Sequence, residues 1–220
     1  MKISASILAA NVMHLAQAVK TVEALGADRI HLDVMDNHYV PNLSFGLDFC
    51  HALKQTTKLP IEVHLMTQPV ESTIDQALSA QADWVVFHPE TSSAWVTLVD
   101  QLRRNNTKVG LAIHPDTSLD LLKQLPHLPD QLLIMTVIPG FSGQSLIPAC
   151  VDKIRQARAW IDENDSLCEL AVDGGIHAGN VKHVVDAGAD VVVMGSGIFR
   201  GDIRTNWQRI DQQMTEASNV

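Results

Sequence analysis

Short, continuous apolar runs alternate with amphipathic stretches of helical period from one end of the chain to the other. The runs at 3–8, 29–35, 61–66, 84–88, 109–113, 132–137, 167–172 and 191–194 predict eight strands. Between them the spacing predicts a helix capped by Asn11 that runs to Leu25 and is stopped by Gly26. Further helices are predicted over 48–55, 70–81, 94–104, 149–163, 178–187 and 203–217, with a short one at 119–125. Parallel strands need helical crossovers, so this order predicts a parallel sheet. Eight units predict an α/β protein closed as a (β/α)8 TIM barrel, with a doubly wound open sheet as the alternative. No linker or low-complexity segment interrupts the pattern, so residues 1–220 read as a single barrel domain.

Within two of the strands the alternation carries unusual chemistry. In the segment RIHLDVMDNHYVPN over 29–42, period two places His31, Asp33 and Met35 on one face and Ile30, Leu32 and Val34 on the other. The strand over 61–66 puts His64 and Met66 on one face, and the strand near 169–173 ends on Asp173. Polar groups on strands this apolar must be paired, hydrogen-bonded or bound to a metal. Each alone reads equally as a satisfied core residue. Together, His31, Asp33, His64 and Asp173 make a nitrogen–oxygen set suited to a divalent ion. In such barrels the active site lies at the carboxyl ends of the strands. There the sequence places Ser6, Asp33, Met35, His64, Met66, His88, Met135, Asp173, Gly195 and Ser196.

Three glycine-bearing turns follow the last three strands: 139–144 (PGFSGQ), 173–176 (DGGI) and 195–197 (GSG). Glycine leaves amides free to approach a ligand, and on this fold these loops are a recurrent phosphate site. If the amides meet a phosphate there, Gly175 and Gly195 should tolerate no bulky side chain; otherwise each is a plain turn. The chain lacks a P-loop lysine motif, which argues against a nucleoside triphosphate.

Composition narrows the classes further. A hydrophobic fraction of 46% suffices for one large core, and a net charge of -9 without extended basic clusters argues against nucleic acid. The three cysteines are widely spaced with no CxxC, as expected of reduced thiols in a cytoplasmic protein. The start MKISASIL lacks the pattern of a signal peptide, and no apolar run is long enough to span a bilayer. A cytoplasmic protein without a membrane partner is expected.

Seven segments carry a family resemblance: SASIL over 4–8, HLDVMDNHYVPN over 31–42, VHLM over 63–66, HPE over 88–90, PGFSGQ over 139–144, VDGGI over 172–176 and MGSGIF over 194–199. With them the chain resembles the ribulose-phosphate 3-epimerase family along nearly its whole length. The resemblance implies a TIM barrel of the ribulose-phosphate-binding type and an isomerase that epimerises carbon 3 of a phosphorylated ketose. The favoured reaction is D-ribulose 5-phosphate to D-xylulose 5-phosphate in the pentose phosphate pathway, and the alternative is an allulose-6-phosphate 3-epimerase. It further implies one divalent ion (Zn, Fe, Mn or Co) on His31, Asp33, His64 and Asp173, with the two aspartates as acid and base through an enediolate. Ser6 and His64 would touch substrate, and Met35, Met66 and Met135 would cap the reacting carbons. Gly140, Phe141, Ser142, Gly143, Gly174, Gly175, Gly195 and Ser196 would meet the phosphate. A homo-oligomer is expected.

The chain departs from the family pattern at Ala5, His114, Ile138 and Ser142. None of these is a ligand or proton-transfer position, so they bear on substrate choice. Two other classes fit the residues less well. The decarboxylases of related barrels carry a D-x-K-x-x-D pattern, whereas Asp33 is followed two later by Met35. A non-catalytic phosphate-binding barrel would have no need of all four presumptive ligands.

Overall fold

The structure is a computed structural model that describes residues 1–164 and 167–217. Eight strands, β1 (Lys2–Ser6), β2 (Arg29–Met35), β3 (Ile61–Met66), β4 (Trp84–Phe87), β5 (Lys108–Ile113), β6 (Gln131–Met135), β7 (Glu169–Asp173) and β8 (Val191–Met194), pair in parallel with their sequence neighbours. β8 pairs with β1, so the sheet closes into a barrel. Outside it lie α1 (Leu15–Leu25), α2 (Asp48–Thr56), α3 (Glu71–Ser79), α4 (Trp95–Arg104), α5 (Ala149–Glu163), α6 (Val181–Asp186), α7 (Ser196–Phe199) and α8 (Ile203–Ala217). Among the described residues no helix is long and apolar enough to cross a membrane.

Alternation divides every strand between two cores. Ile30, Leu32 and Val34 of β2, with Val63 and Leu65 of β3, face outward and are buried under the helices. Val86, Ala112, Leu133, Ala171, Val191 and Val193 fill the barrel interior. Space there is tight: a Cβ on Gly110 would come within 2.7 Å of the Val86 side chain. Register then fixes which inward side chains meet, setting Asp33 opposite His64, Met35 opposite Met66 and Met135 opposite Asp173.

At the amino ends of the strands the interior is closed by charge. Arg29, 4% exposed, donates to Glu62 Oε2 at 2.9 Å and to Gln131 Oε1 at 2.6 Å, and pairs with Glu169. Its guanidinium also lies 3.9 Å from the centroid of the Trp84 ring. Lys2 pairs with Glu169 from the rim. A fully buried Glu62 is tolerable only because Arg29 and its other partners surround it.

The differences from the sequence-based elements have local causes. β1 ends at Ser6, its last pair with β2, and Ile7–Ala9 turn as a 3₁₀ segment. Asn11 caps a further 3₁₀ turn, Val12–His14, by accepting the Met13 N–H at 3.0 Å, and α1 begins after it. Gly26 ends α1 at φ +98°, a conformation that suits glycine. The short helix over 119–125 is instead a 3₁₀ turn, Leu119–Gln124, capped by Ser118, with Pro126 blocking any extension. α7 is too short to produce a periodic signal.

Replacing Arg29 by leucine removes the cation that offsets Glu62. Urea unfolding of Arg29→Leu is expected to show a loss of about 3–5 kcal/mol, the usual cost of stranding a buried charge.

Candidate active site

β2, β3 and β7 bring His31, Asp33, His64 and Asp173 together just inside the carboxyl end of the barrel. One ligand atom from each lies within 4.8 Å of all the others. His31 Nε2 is 3.3 Å from both His64 Nδ1 and Asp33 Oδ1, and His64 Nδ1 is 3.2 Å from Asp33 Oδ1. Asp173 Oδ2 stands 3.8 Å from both imidazole nitrogens. The remaining atoms are held from behind. His31 Nδ1 lies 2.6 Å from Glu62 Oε1, so the ring donates there and turns its Nε2 lone pair toward the cluster. Ser6 donates its hydroxyl to Asp33 Oδ2 at 2.7 Å. His64 Nε2 lies 3.0 Å from His88 Nε2; with His64 as donor, its Nδ1 lone pair also faces inward.

This donor set fits a divalent ion. Two imidazole lone pairs and two carboxylate oxygens directed at one point repel one another unless a cation or protons lie between them. Four donors each about 2.1 Å from a tetrahedral ion would be about 3.4 Å apart, the range in which most of these separations fall. Such a set accepts Zn, Fe, Mn or Co.

Electrostatics separate the two aspartates. Burial works against the Asp33 charge, but His31 and His64 outweigh it and hold the carboxyl well below its ordinary range. Asp173 is pushed up to about 7, by burial first and by the neighbouring Asp33 and Glu62 charges, against the pull of His31. His31 is raised despite burial, because Asp33 and Glu62 face it. Burial lowers His64 and takes His88 down to about 4. The His88 ring lies against Tyr39, tilted by 41° with centroids 4.7 Å apart, and Tyr39 donates to Glu90 Oε1 at 2.9 Å.

Above the cluster a cleft opens to solvent. Asp33 and Asp173 line it together with Ser6, Met35, Met66 and Met135. Gly140, Phe141, Ser142 and Gly143, then Gly174, Gly175, Gly195 and Ser196, also line it. His31 and His64 lie buried beneath, outside its lining. Met35 and Met66 pack with Val40 as a small apolar cluster. Asn42 donates to the Gly140 carbonyl at 2.7 Å, tying the loop after β2 to the loop after β6. Gln144 bridges the latter by donating to the carbonyls of Ile138 at 2.7 Å and Phe141 at 2.9 Å.

The two turn glycines singled out in the sequence differ in how much room their surroundings leave. Gly175 has φ +69°, and a Cβ there would lie 2.4 Å from the Leu146 amide nitrogen. Packing against its own neighbouring loop therefore already demands glycine, with or without a ligand. Gly195 has φ −102°, and its nearest neighbour to a Cβ would be Ala9 at 3.3 Å, so alanine fits with a small adjustment.

Two members of the site were not singled out from the sequence. Glu62 shares the inward face with His64 and Met66, so period two could have found it. Arg29 precedes His31 by the same step. His88 appeared only as a strand-end residue, and its contact with His64 depends on the pairing of β3 and β4.

A closed barrel whose strand ends carry paired carboxylates and imidazoles below a glycine-rimmed cleft defines a (β/α)8 enzyme with a candidate metal centre. Solved structures show the same fold at low identity. The 3-hexulose-6-phosphate synthase of Salmonella typhimurium superposes with a TM-score of 0.71 at 18% identity, over 99% of this chain and all of that one. The 3-keto-L-gulonate-6-phosphate decarboxylase of Vibrio cholerae also reaches 0.71, at 14% identity over 98% of this chain and 97% of that one. The family model of the ribulose-phosphate 3 epimerase family matches residues 2–199. The ribulose-phosphate 3-epimerase 1 of Cupriavidus necator is 40% identical over 100% of this chain and 93% of its own length. The ribulose-phosphate 3-epimerase of Escherichia coli K12 is 39% identical over 99% and 96%. The chain belongs to the ribulose-phosphate 3-epimerase family and is an isomerase of that type.

The raised Asp173 carboxyl gives a pH signature in metal-free protein. Its folded value, about 7, exceeds the ordinary aspartate value of 3.8, so the native state holds this proton more tightly than the unfolded chain does. The stabilisation is complete near pH 4 and is lost as pH rises through about 7. Asp173→Asn removes this dependence. The melting temperature of the variant minus that of the wild type is therefore expected to increase from pH 4 to pH 8 in chelator, as scanning calorimetry would record.

Proposed function

We propose that this chain interconverts D-ribulose 5-phosphate and D-xylulose 5-phosphate in the pentose phosphate pathway, with Asp33 and Asp173 exchanging the carbon-3 proton on opposite faces of the substrate. The observation that carries the reading is a pair of carboxylates, Asp33 of β2 and Asp173 of β7, that line one cleft and belong to one candidate metal cluster. Epimerisation next to a ketone needs one group to remove the proton and a second to return one to the other face. Asp33, kept ionised by His31 and His64, is fitted to accept the proton, leaving an enediolate across carbons 2 and 3. Asp173, whose proton is favoured by burial, is fitted to deliver one from β7. In the reverse direction the two exchange roles. Neither carbon changes oxidation state overall, since one proton leaves as another arrives.

A divalent ion on His31, Asp33, His64 and Asp173 would stabilise the enediolate oxygens as a Lewis acid. Ser6, bonded to Asp33 Oδ2, orients that carboxylate toward the substrate, and His64 holds it from below. Met35, Met66 and Met135 exclude water, which strengthens the electrostatic interactions within the site. The amides of the turns at 140–143, 174–175 and 195–196 meet the phosphate. This reading takes residues 1–220 as one catalytic domain of a cytoplasmic homo-oligomer, with no nucleic-acid or membrane partner.

The five-carbon sugar is favoured over allulose 6-phosphate because Ile138, one of the departures from the family pattern, does not line the cleft. Its side chain is 49% exposed and gives the cleft no extra depth. A pocket discriminating by one carbon separates substrates by about 10–200-fold. The ratio kcat/KM is accordingly expected to be higher for ribulose 5-phosphate than for allulose 6-phosphate.

Asp33→Asn and Asp173→Asn should each lower kcat by about 10²–10⁴-fold or more while leaving the circular dichroism spectrum unchanged. Each should also block exchange of the carbon-3 proton with deuterated solvent from one face. Metal content measured alongside separates lost proton transfer from a lost ligand. Prolonged chelation should abolish turnover, and added divalent ion should restore it. Full activity in metal-free protein, or near wild-type turnover in either variant, would overturn the mechanism.

A further inference from the structure

The cleft contains a charge imbalance. Its lining includes Asp33 and Asp173 but no lysine, arginine or histidine, although the proposed substrate carries a phosphate dianion. The glycine turns supply amides, which bring partial charges only. On the far side of those turns lies an adjoining depression that shares Gly143, Gln144, Gly175 and Ser196 with the cleft. Arg200 lines this depression just after α7. Its Nη2 stands 3.2 Å from the point a Cβ on Gly143 would occupy, so the missing side chain leaves room for the guanidinium beside the turn. Among the described residues, Arg200 is exposed and no carboxylate is ion-paired with its guanidinium, so it is free to turn toward an anion. A cation beside the anion-facing turns, with no carboxylate engaging it, is placed to act on an incoming ligand.

We propose that Arg200 is a specificity-determining clamp for the substrate phosphate, reaching over Gly143 to supply the counter-charge that the cleft lacks. Guanidinium suits this task because its planar fork offers two parallel donors to phosphate oxygens. From the rim it would also draw dianionic substrate toward a protein of net charge -9. Arg200 takes no part in proton transfer, so its contribution belongs to binding. This inference rests on the reading of the glycine turns as phosphate contacts.

The test compares Arg200→Gln and Arg200→Lys with wild-type holoenzyme, using both turnover and the binding of inorganic phosphate followed by calorimetry. Arg200→Gln should raise KM for ribulose 5-phosphate about tenfold or more, leave kcat within about twofold, and weaken phosphate binding in proportion. Arg200→Lys should recover part of the loss, because it keeps the charge without the fork. The rise of KM with ionic strength should be shallower in Arg200→Gln than in wild type. An unchanged KM together with unchanged phosphate affinity would overturn the clamp, as would wild-type protein that binds no phosphate. If wild type binds phosphate but turns over no ketose phosphate, the proposed reaction fails, and the phosphate arm still decides the role of Arg200.

Discussion

Burying Glu62 is the constraint on which the interior of this barrel depends. With no solvent exposure, its carboxylate must find its full complement of partners within the protein. Arg29 satisfies one oxygen from below, and His31, with a long contact from Ser4, satisfies the other. The bond to His31 fixes the orientation of that ring, which in turn sets the lone pair directed at Asp33, His64 and Asp173. The structural floor and the chemical site are thus two ends of one hydrogen-bonded column. Helix packing outside the barrel places the strands, but this column decides how the inward side chains are turned.

Much of this was legible in the sequence, and the exceptions have physical explanations. β2 and β3 occupy the predicted spans because each is fully buried, keeps an unbroken apolar outward face, and is bounded by clear breaks. α5 and α8 also match, since helices of this length carry enough periods to register. The apolar run of β1 overstates the strand because Ile7 and Leu8 remain apolar after the chain has left the sheet. The segment 119–125 kept a helical pattern but is confined to a 3₁₀ turn by the proline beyond it.

For the site, alternation in β2 placed His31, Asp33 and Met35 on one face, and all three point into the barrel interior or its mouth. It could equally have drawn in Glu62, whose position two before His64 carried the same signal. The contact between His64 and His88 could not be read that way, because it depends on neighbouring strands in register. Gly175 is the opposite case: it is legible as a turn glycine, but its need for glycine comes from the backbone of 144–146 as well as from any ligand.

The ionic closure formed by Lys2, Arg29, Glu62, Gln131 and Glu169 has a consequence for traffic through the molecule. It makes the barrel a blind-ended vessel, with one opening at the carboxyl ends of the strands. For the reaction proposed above, sugar and water would share that opening, so a bound substrate would act as its stopper. A carbon deprotonated beneath it would then exchange protons with the carboxyls of the site and not with solvent entering from the far end.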